Sequence, residues 1–189
     1  MPSEPSLFQK AVPMKNFPFS ALALSLAIPF ASLAKPAKVL KVSESVEIQA
    51  EPAKVWEKVS DFGDLGAWHP AIKTTQILSG ENGKVGAVRL LTLQDGGTVK
   101  ETLLSFDPKK MRYSYNIVES VLPVSAYTSS ITVTKAKKDQ CKVTWSGEFK
   151  RKDPSENPAV GQDDTTATKT MSAVYRAGLD NLKTIMEAK

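Results

Sequence analysis

One cysteine and one histidine occur in 189 residues. With Cys141 alone, no intrachain disulfide can form, whatever the redox state of the compartment. With His69 alone, a Cys/His zinc site is excluded, and a Ser-His-Asp triad could be built only around that one imidazole. No run of eighteen or more uninterrupted apolar residues occurs, which argues against a retained membrane span. The cations are scattered along the chain without interleaved aromatics, so a nucleic-acid interface is not expected. Gly80, Gly83 and Gly86 cluster, but no Lys-Ser/Thr pair and no helix follows them, which excludes a phosphate loop. Neither a metal nor a cofactor is expected.

What is present is ordinary globular composition, 41% apolar and 24% charged. The N-terminus differs from the rest. Lys10 and Lys15 precede residues 17–34, FPFSALALSLAIPFASLA, which carry no charge. The apolar stretch has the length of a secretory h-region, and Ser32 and Ala34 place small residues at a cleavage site. Residues 1–34 therefore read as a signal peptide cut after Ala34. Met14-Lys15 reads as the truer start, leaving residues 1–13 as an upstream mis-start. The alternative is an uncleaved anchor, but Pro18 and Pro29 bracket the run and would spoil a spanning helix. Export would leave residues 35–189 as one domain in the periplasm, with 23 cations against 19 carboxylates. A mildly basic domain of this kind favours an acidic partner.

Residues 39–48 alternate apolar and polar, as a half-buried strand does. Pro52 opens a helix with Val55, Trp56 and Val59 on its apolar side. Residues 61–69, DFGDLGAWH, predict a short second helix between turns, and Pro70 ends it. Residues 72–78, 87–94, 99–106, 112–119, 126–135 and 142–150 read as strands separated by short turns, which implies an antiparallel meander. Asp163 or Asp164 can cap a final helix in which Met171, Val174, Tyr175, Gly178, Leu182 and Ile185 form one apolar face. This order predicts an α+β domain. A curved antiparallel sheet of about seven strands surrounds a long C-terminal helix, with two short helices after the first strand and enclosed space between sheet and helix.

Strand parity places Ala87, Arg89, Leu91 and Leu93 on one face, and Val99, Glu101, Leu103 and Ser105 on one face of the next strand. Both faces look inward, so Glu101 can meet Arg89, the natural partner for an inward carboxylate. The pair is either a structural ion pair, which carries the greater weight, or a ligand-polarising or proton-transfer pair. Tyr113, Tyr115 and Tyr127 suit a pocket lining and a core equally well. Trp145 reads as core, and Cys141 as a buried small hydrophobe. Trp68, His69 and Pro70 lie at a loop where a rim or gate fits. A lone loop histidine is more often a surface residue or a turn cap than an acid or base.

Several short motifs recur in order along residues 39–189. They are Trp68-His69-Pro70-Ala71-Ile72, Gly86-Ala87-Val88-Arg89, Glu101-Thr102-Leu103 followed by Asp107, Tyr113-Ser114-Tyr115, Leu122-Pro123-Val124-Ser125-Ala126-Tyr127 and Val143-Thr144-Trp145. The set resembles the helix-grip fold of the START-like (SRPBCC) superfamily in its polyketide-cyclase/dehydrase branch. Among exported members it is similar to the MxaD-type accessory proteins of methanol oxidation. The resemblance implies an apolar cavity between sheet and helix, lined by Trp68, Arg89, Leu91, Glu101 and Leu103 from one side. Tyr113, Tyr115, Tyr127, Met171, Val174 and Tyr175 complete it, with His69 and Pro70 as a gate. It implies that a small apolar ligand can bind, and that only some members are enzymes. In the plant lachrymatory-factor synthases an arginine and a glutamate matching Arg89 and Glu101 carry a proton shift. Here the glutamate motif reads Glu-Thr-Leu instead of Glu-Arg-Leu. The leading expectation is a non-enzymatic periplasmic accessory protein that assists a redox system, with methanol dehydrogenase or its cytochrome as an acidic protein partner. The alternatives are a small cofactor-free isomerase, cyclase or dehydratase using Glu101 and Arg89, and a carrier of lipid or another hydrophobic ligand.

Overall fold

A computed structural model describes residues 38–188. The expected signal peptide, its cut after Ala34 and the alternative start at Met14 lie outside the described residues. Strand β1 (Leu40–Ile48) is followed by helix α1 (Pro52–Val59) and a single 3-10 turn (Leu65–Ala67). Six strands come next: β2 (Ile72–Ser79), β3 (Val88–Leu93), β4 (Thr98–Asp107), β5 (Arg112–Ser120), β6 (Val124–Lys137) and β7 (Gln140–Arg151). The long helix α2 (Asp164–Glu187) closes the order.

The seven strands form one sheet in the order β1-β7-β6-β5-β4-β3-β2, and each neighbouring pair is antiparallel. The meander from β2 to β7 follows from the short turns. β1 closes the far side by pairing with β7 from Leu40↔Phe149 to Ile48↔Cys141. Alternation sends Tyr127, Ile131 and Val133 of β6 and Cys141, Val143, Trp145 and Phe149 of β7 to the buried face. Cys141 and Trp145 are thus core residues. Among the described residues, no helix is long and apolar enough to cross a membrane.

Pro52 occupies the first turn of α1, where its missing N–H leaves no helix bond unmade, and Val55, Trp56 and Val59 are buried. Asp163 caps α2, its side chain accepting from the Thr166 amide at 2.9 Å. The buried face of α2 is Ala167, Met171, Tyr175, Gly178, Leu179 and Leu182. Ile185, expected on that face, is 38% exposed, and Val174 is half-buried. The stripe drifts because 3.6 residues per turn carry position 179 inward and position 185 outward.

The bulges correct strand parity at one point. Register shifts in β4 at Lys100/Glu101 and Leu103/Ser105 keep Val99, Glu101 and Leu103 inside but turn Ser105 outward. Phe106 points inward in its place, pairs with Tyr113 and lies tilted beside Trp56, ring centroids 5.6 Å apart. The outer face of five adjacent strands carries a row of directly paired serines: Ser43, Ser146, Ser130, Ser114 and Ser105.

Candidate functional site

The register of β3 against β4 sets Arg89 directly opposite Glu101. Their side chains meet inside the fold, Arg89 Nε donating to Glu101 Oε2 at 2.6 Å, with both residues buried. Arg89 Nη1 donates to the Phe62 carbonyl at 2.8 Å. The Phe62 ring lies 4.0 Å from the guanidinium carbon and the Tyr115 ring 5.3 Å, so the cation is held by π-faces as well as by charge. Burial opposes the Arg89 charge most, but the charge and hydrogen bond of Glu101, with Tyr113 and Tyr115, together raise its pKa above the ordinary value. Burial pushes the Glu101 carboxyl up, against the pull of Arg89. Two polar atoms near this pair, Arg89 Nη2 and Tyr113 Oη, have no hydrogen-bond partner among the described residues. Burial raises Tyr113 to about 12, so its hydroxyl keeps its proton.

Beyond the ion pair lies a hydroxyl network. Tyr127 and Tyr175 share a hydrogen bond of 2.6 Å. Trp145 Nε1 donates to Tyr115 Oη at 2.9 Å and to Ser129 Oγ at 3.0 Å. Ser129 Oγ donates in turn to the Ser146 carbonyl at 2.8 Å. Burial pushes Tyr115 and Tyr127 well above their ordinary value and Tyr175 to about 12. All three phenols are therefore neutral links in a satisfied network.

His69 is buried rather than a surface or rim residue, because its loop folds back beneath α2. Its Nε2–H donates to the Val174 carbonyl at 3.0 Å, and its Nδ1 accepts from the Ala71 amide at 3.2 Å. The neutral imidazole satisfies both contacts; a proton on Nδ1 would face a donor. Burial lowers its pKa, and the Arg89 charge adds to that, while the hydrogen bond to Val174 opposes both. The same loop is tied down by Asn181 Nδ2, which donates to the Trp68 carbonyl at 2.9 Å. Gly178 makes the approach feasible: a Cβ there would lie 2.6 Å from His69 Cδ2 and 2.9 Å from Trp145 Cζ3. Pro70 is exposed at the end of the loop.

The space enclosed between sheet and helix is small, about 80 Å³. Leu91, Glu101, Tyr115, Tyr127, Met171 and Val174 border it, and so does His69, which was expected at a gate. Trp68, Arg89, Leu103, Tyr113 and Tyr175 do not border it; they fill the layer behind. Trp68 packs edge-on to Trp145 at 5.7 Å, and Arg89 is sealed beneath Phe62. Ile72, Leu93, Ile117, Leu122 and Trp145 were not expected at the cavity and border it. Sequence reasoning also missed Phe62. The one available signal was a lone aromatic between the two acidic residues Asp61 and Asp64 in a glycine-containing loop, which has reason to turn inward.

A curved antiparallel sheet gripping a long C-terminal helix defines a class of protein, and the chain belongs to it. Residues 39–187 match the family described as polyketide cyclase / dehydrase and lipid transport. Particular relatives are solved. Protein XoxI of Bacillus cereus is 31% identical, with a TM-score of 0.67 over 77% of this chain and 94% of that one. An uncharacterized protein of Bacillus thuringiensis is 29% identical, with a TM-score of 0.68 over 79% of this chain and 100% of that one. The major latex-like protein 151 of Panax ginseng, 20% identical with a TM-score of 0.64 over 79% of this chain and 99% of that one, shares the fold.

Proposed function

We propose that the chain is a cofactor-free accessory protein, exported and cut after Ala34, that acts by docking on an acidic protein of a periplasmic redox system. Methanol dehydrogenase or its cytochrome is the partner that the resemblance to MxaD-type proteins suggests. The observation that carries this reading is how little space lies between sheet and helix. About 80 Å³ is well below the roughly 300–1,000 Å³ of ordinary ligand sites. A lipid chain has no room there, which weighs against a carrier. The titratable groups at and behind the cavity are engaged: Glu101 with Arg89, and His69, as a neutral imidazole, with the Val174 carbonyl and the Ala71 amide.

The test adds purified mature domain to methanol dehydrogenase and its cytochrome. At low ionic strength the domain should bind one of them and raise the electron-transfer rate, and the effect should fade toward high salt. No binding and an unchanged rate would end this reading. A second reading, a small isomerase, cyclase or dehydratase, is favoured by one feature. Glu101 borders the cavity while Arg89 Nη2 and Tyr113 Oη lack partners beside it. That reading needs a substrate of only a few heavy atoms, or an opening of the cavity.

A further inference from the structure

We infer that one end of the sheet, made by the 107–112 turn between β4 and β5 and the 135–142 hairpin between β6 and β7, is a docking surface for an acidic face of a partner protein. This rests on the accessory-protein reading and assigns it a place on the molecule.

The cations that are scattered in sequence are gathered by the fold. The 107–112 turn holds Lys109, Lys110 and Arg112, and the 135–142 hairpin holds Lys135, Lys137, Lys138 and Lys142. Against these seven stand two carboxylates, Asp107 and Asp139. The rest of residues 35–189 has sixteen cations and seventeen carboxylates, so the net positive charge of the domain resides at this end. The two turns are neighbours: Arg112 pairs with Thr132, and the Val133 amide donates to the Met111 carbonyl at 2.9 Å. Glu47 of β1 adds one carboxylate at the edge of this surface: it pairs with Lys142 across β1 and β7 and accepts from Gln140 Nε2 at 3.3 Å.

All seven cationic side chains are exposed. Among the described residues only Lys110 forms an ion pair, with Asp107 at 3.4 Å; the other six form none. Their backbone is preformed. Asp107 accepts from the Lys110 amide at 3.0 Å, and Met111 and Asp139 hold left-handed φ of 48° and 52°. An array of exposed cations on preformed turns, six of the seven outside any ion pair, steers an acidic partner and favours one orientation.

The occupant is a protein rather than a bilayer or a nucleic acid. None of the large exposed apolar side chains of the described residues lies in either turn, so nothing there would insert among acyl chains. Neither turn carries an aromatic on which a base could stack.

The experiment compares two variants of equal net charge, Lys137→Glu/Lys138→Glu in the hairpin and Lys73→Glu/Lys169→Glu at exposed sites on other elements. Each is titrated into methanol dehydrogenase and its cytochrome, and separately against fluorescein-labelled oligo-glutamate, phosphatidylglycerol-rich vesicles and duplex DNA. The hairpin variant should need at least about tenfold more protein for half-maximal stimulation, with the second variant close to wild type. If wild type stimulates and both variants behave alike, the docking surface is refuted while the accessory reading stands. If wild type engages neither redox protein, the accessory reading fails and oligo-glutamate decides the surface: binding lost in the hairpin variant alone supports it, and equal loss overturns it. Tighter binding of wild type to vesicles or DNA than to oligo-glutamate also overturns it.

Discussion

Glu101→Gln keeps the shape of the side chain, removes its charge and leaves Arg89 without a counter-ion in a sealed site. Gln can still accept from Arg89 Nε, and the Phe62 carbonyl and two aromatic faces still hold the guanidinium. The loss should therefore sit at the lower end of what breaking a buried pair costs, about 3 kcal/mol. For a domain of this size that is roughly 6–12 °C in melting temperature. Urea unfolding followed by tryptophan fluorescence measures it directly, as a lower midpoint with an unchanged slope. A double variant, Arg89→Met/Glu101→Leu, removes both charges and should regain most of the loss, since desolvation no longer opposes folding. A Glu101→Gln protein within about 0.5 kcal/mol of wild type would refute the reasoning, because Arg89 would then not depend on the carboxylate.

Gly178→Ala gains helix propensity of about 1 kcal/mol but drives a methyl into His69 and Trp145. Both rings are fixed by hydrogen bonds, so the variant should be destabilised on balance; a higher melting temperature would contradict the close packing of loop and helix. His69 contributes a pH dependence. Its pKa is lowered in the fold, so below its ordinary value the unfolded chain takes up a proton that the folded one refuses, and stability falls as the solution is acidified. Stability should fall as the pH drops below His69's ordinary value, and His69→Gln should flatten that dependence; an identical pH profile in that variant would show His69 is not held neutral. Mass spectrometry of the periplasmic protein should find Lys35 at the N-terminus, and intact cytoplasmic chain would contradict export.

Element order, the antiparallel meander and the Arg89–Glu101 meeting were legible in sequence because period-two alternation and short turns fix parity and register together. Ser105 was misassigned because a bulge at Leu103/Ser105 reverses parity, and no residue type there announces it. His69 looked like a loop residue, and its burial depends on a bare helix surface at Gly178, more than a hundred residues away. Which of the named residues border the cavity was not legible, because Trp68, Tyr113 and Tyr175 pack into the core instead of lining it. Charge shows the opposite relation. Lys109, Lys110, Lys137 and Lys138 look dispersed along the chain, and only the pairing of β5 with β6 brings them to one end.

The central claim is that the molecule acts through its surface while its interior is structural. The most direct measurement is the stimulation of electron transfer between methanol dehydrogenase and its cytochrome by folded Glu101→Gln and Arg89→Met/Glu101→Leu proteins, at a temperature where circular dichroism shows both native. Both should stimulate as wild type does. Loss of stimulation by about tenfold or more in both, with the native fold retained, would contradict it and move the action to the cavity.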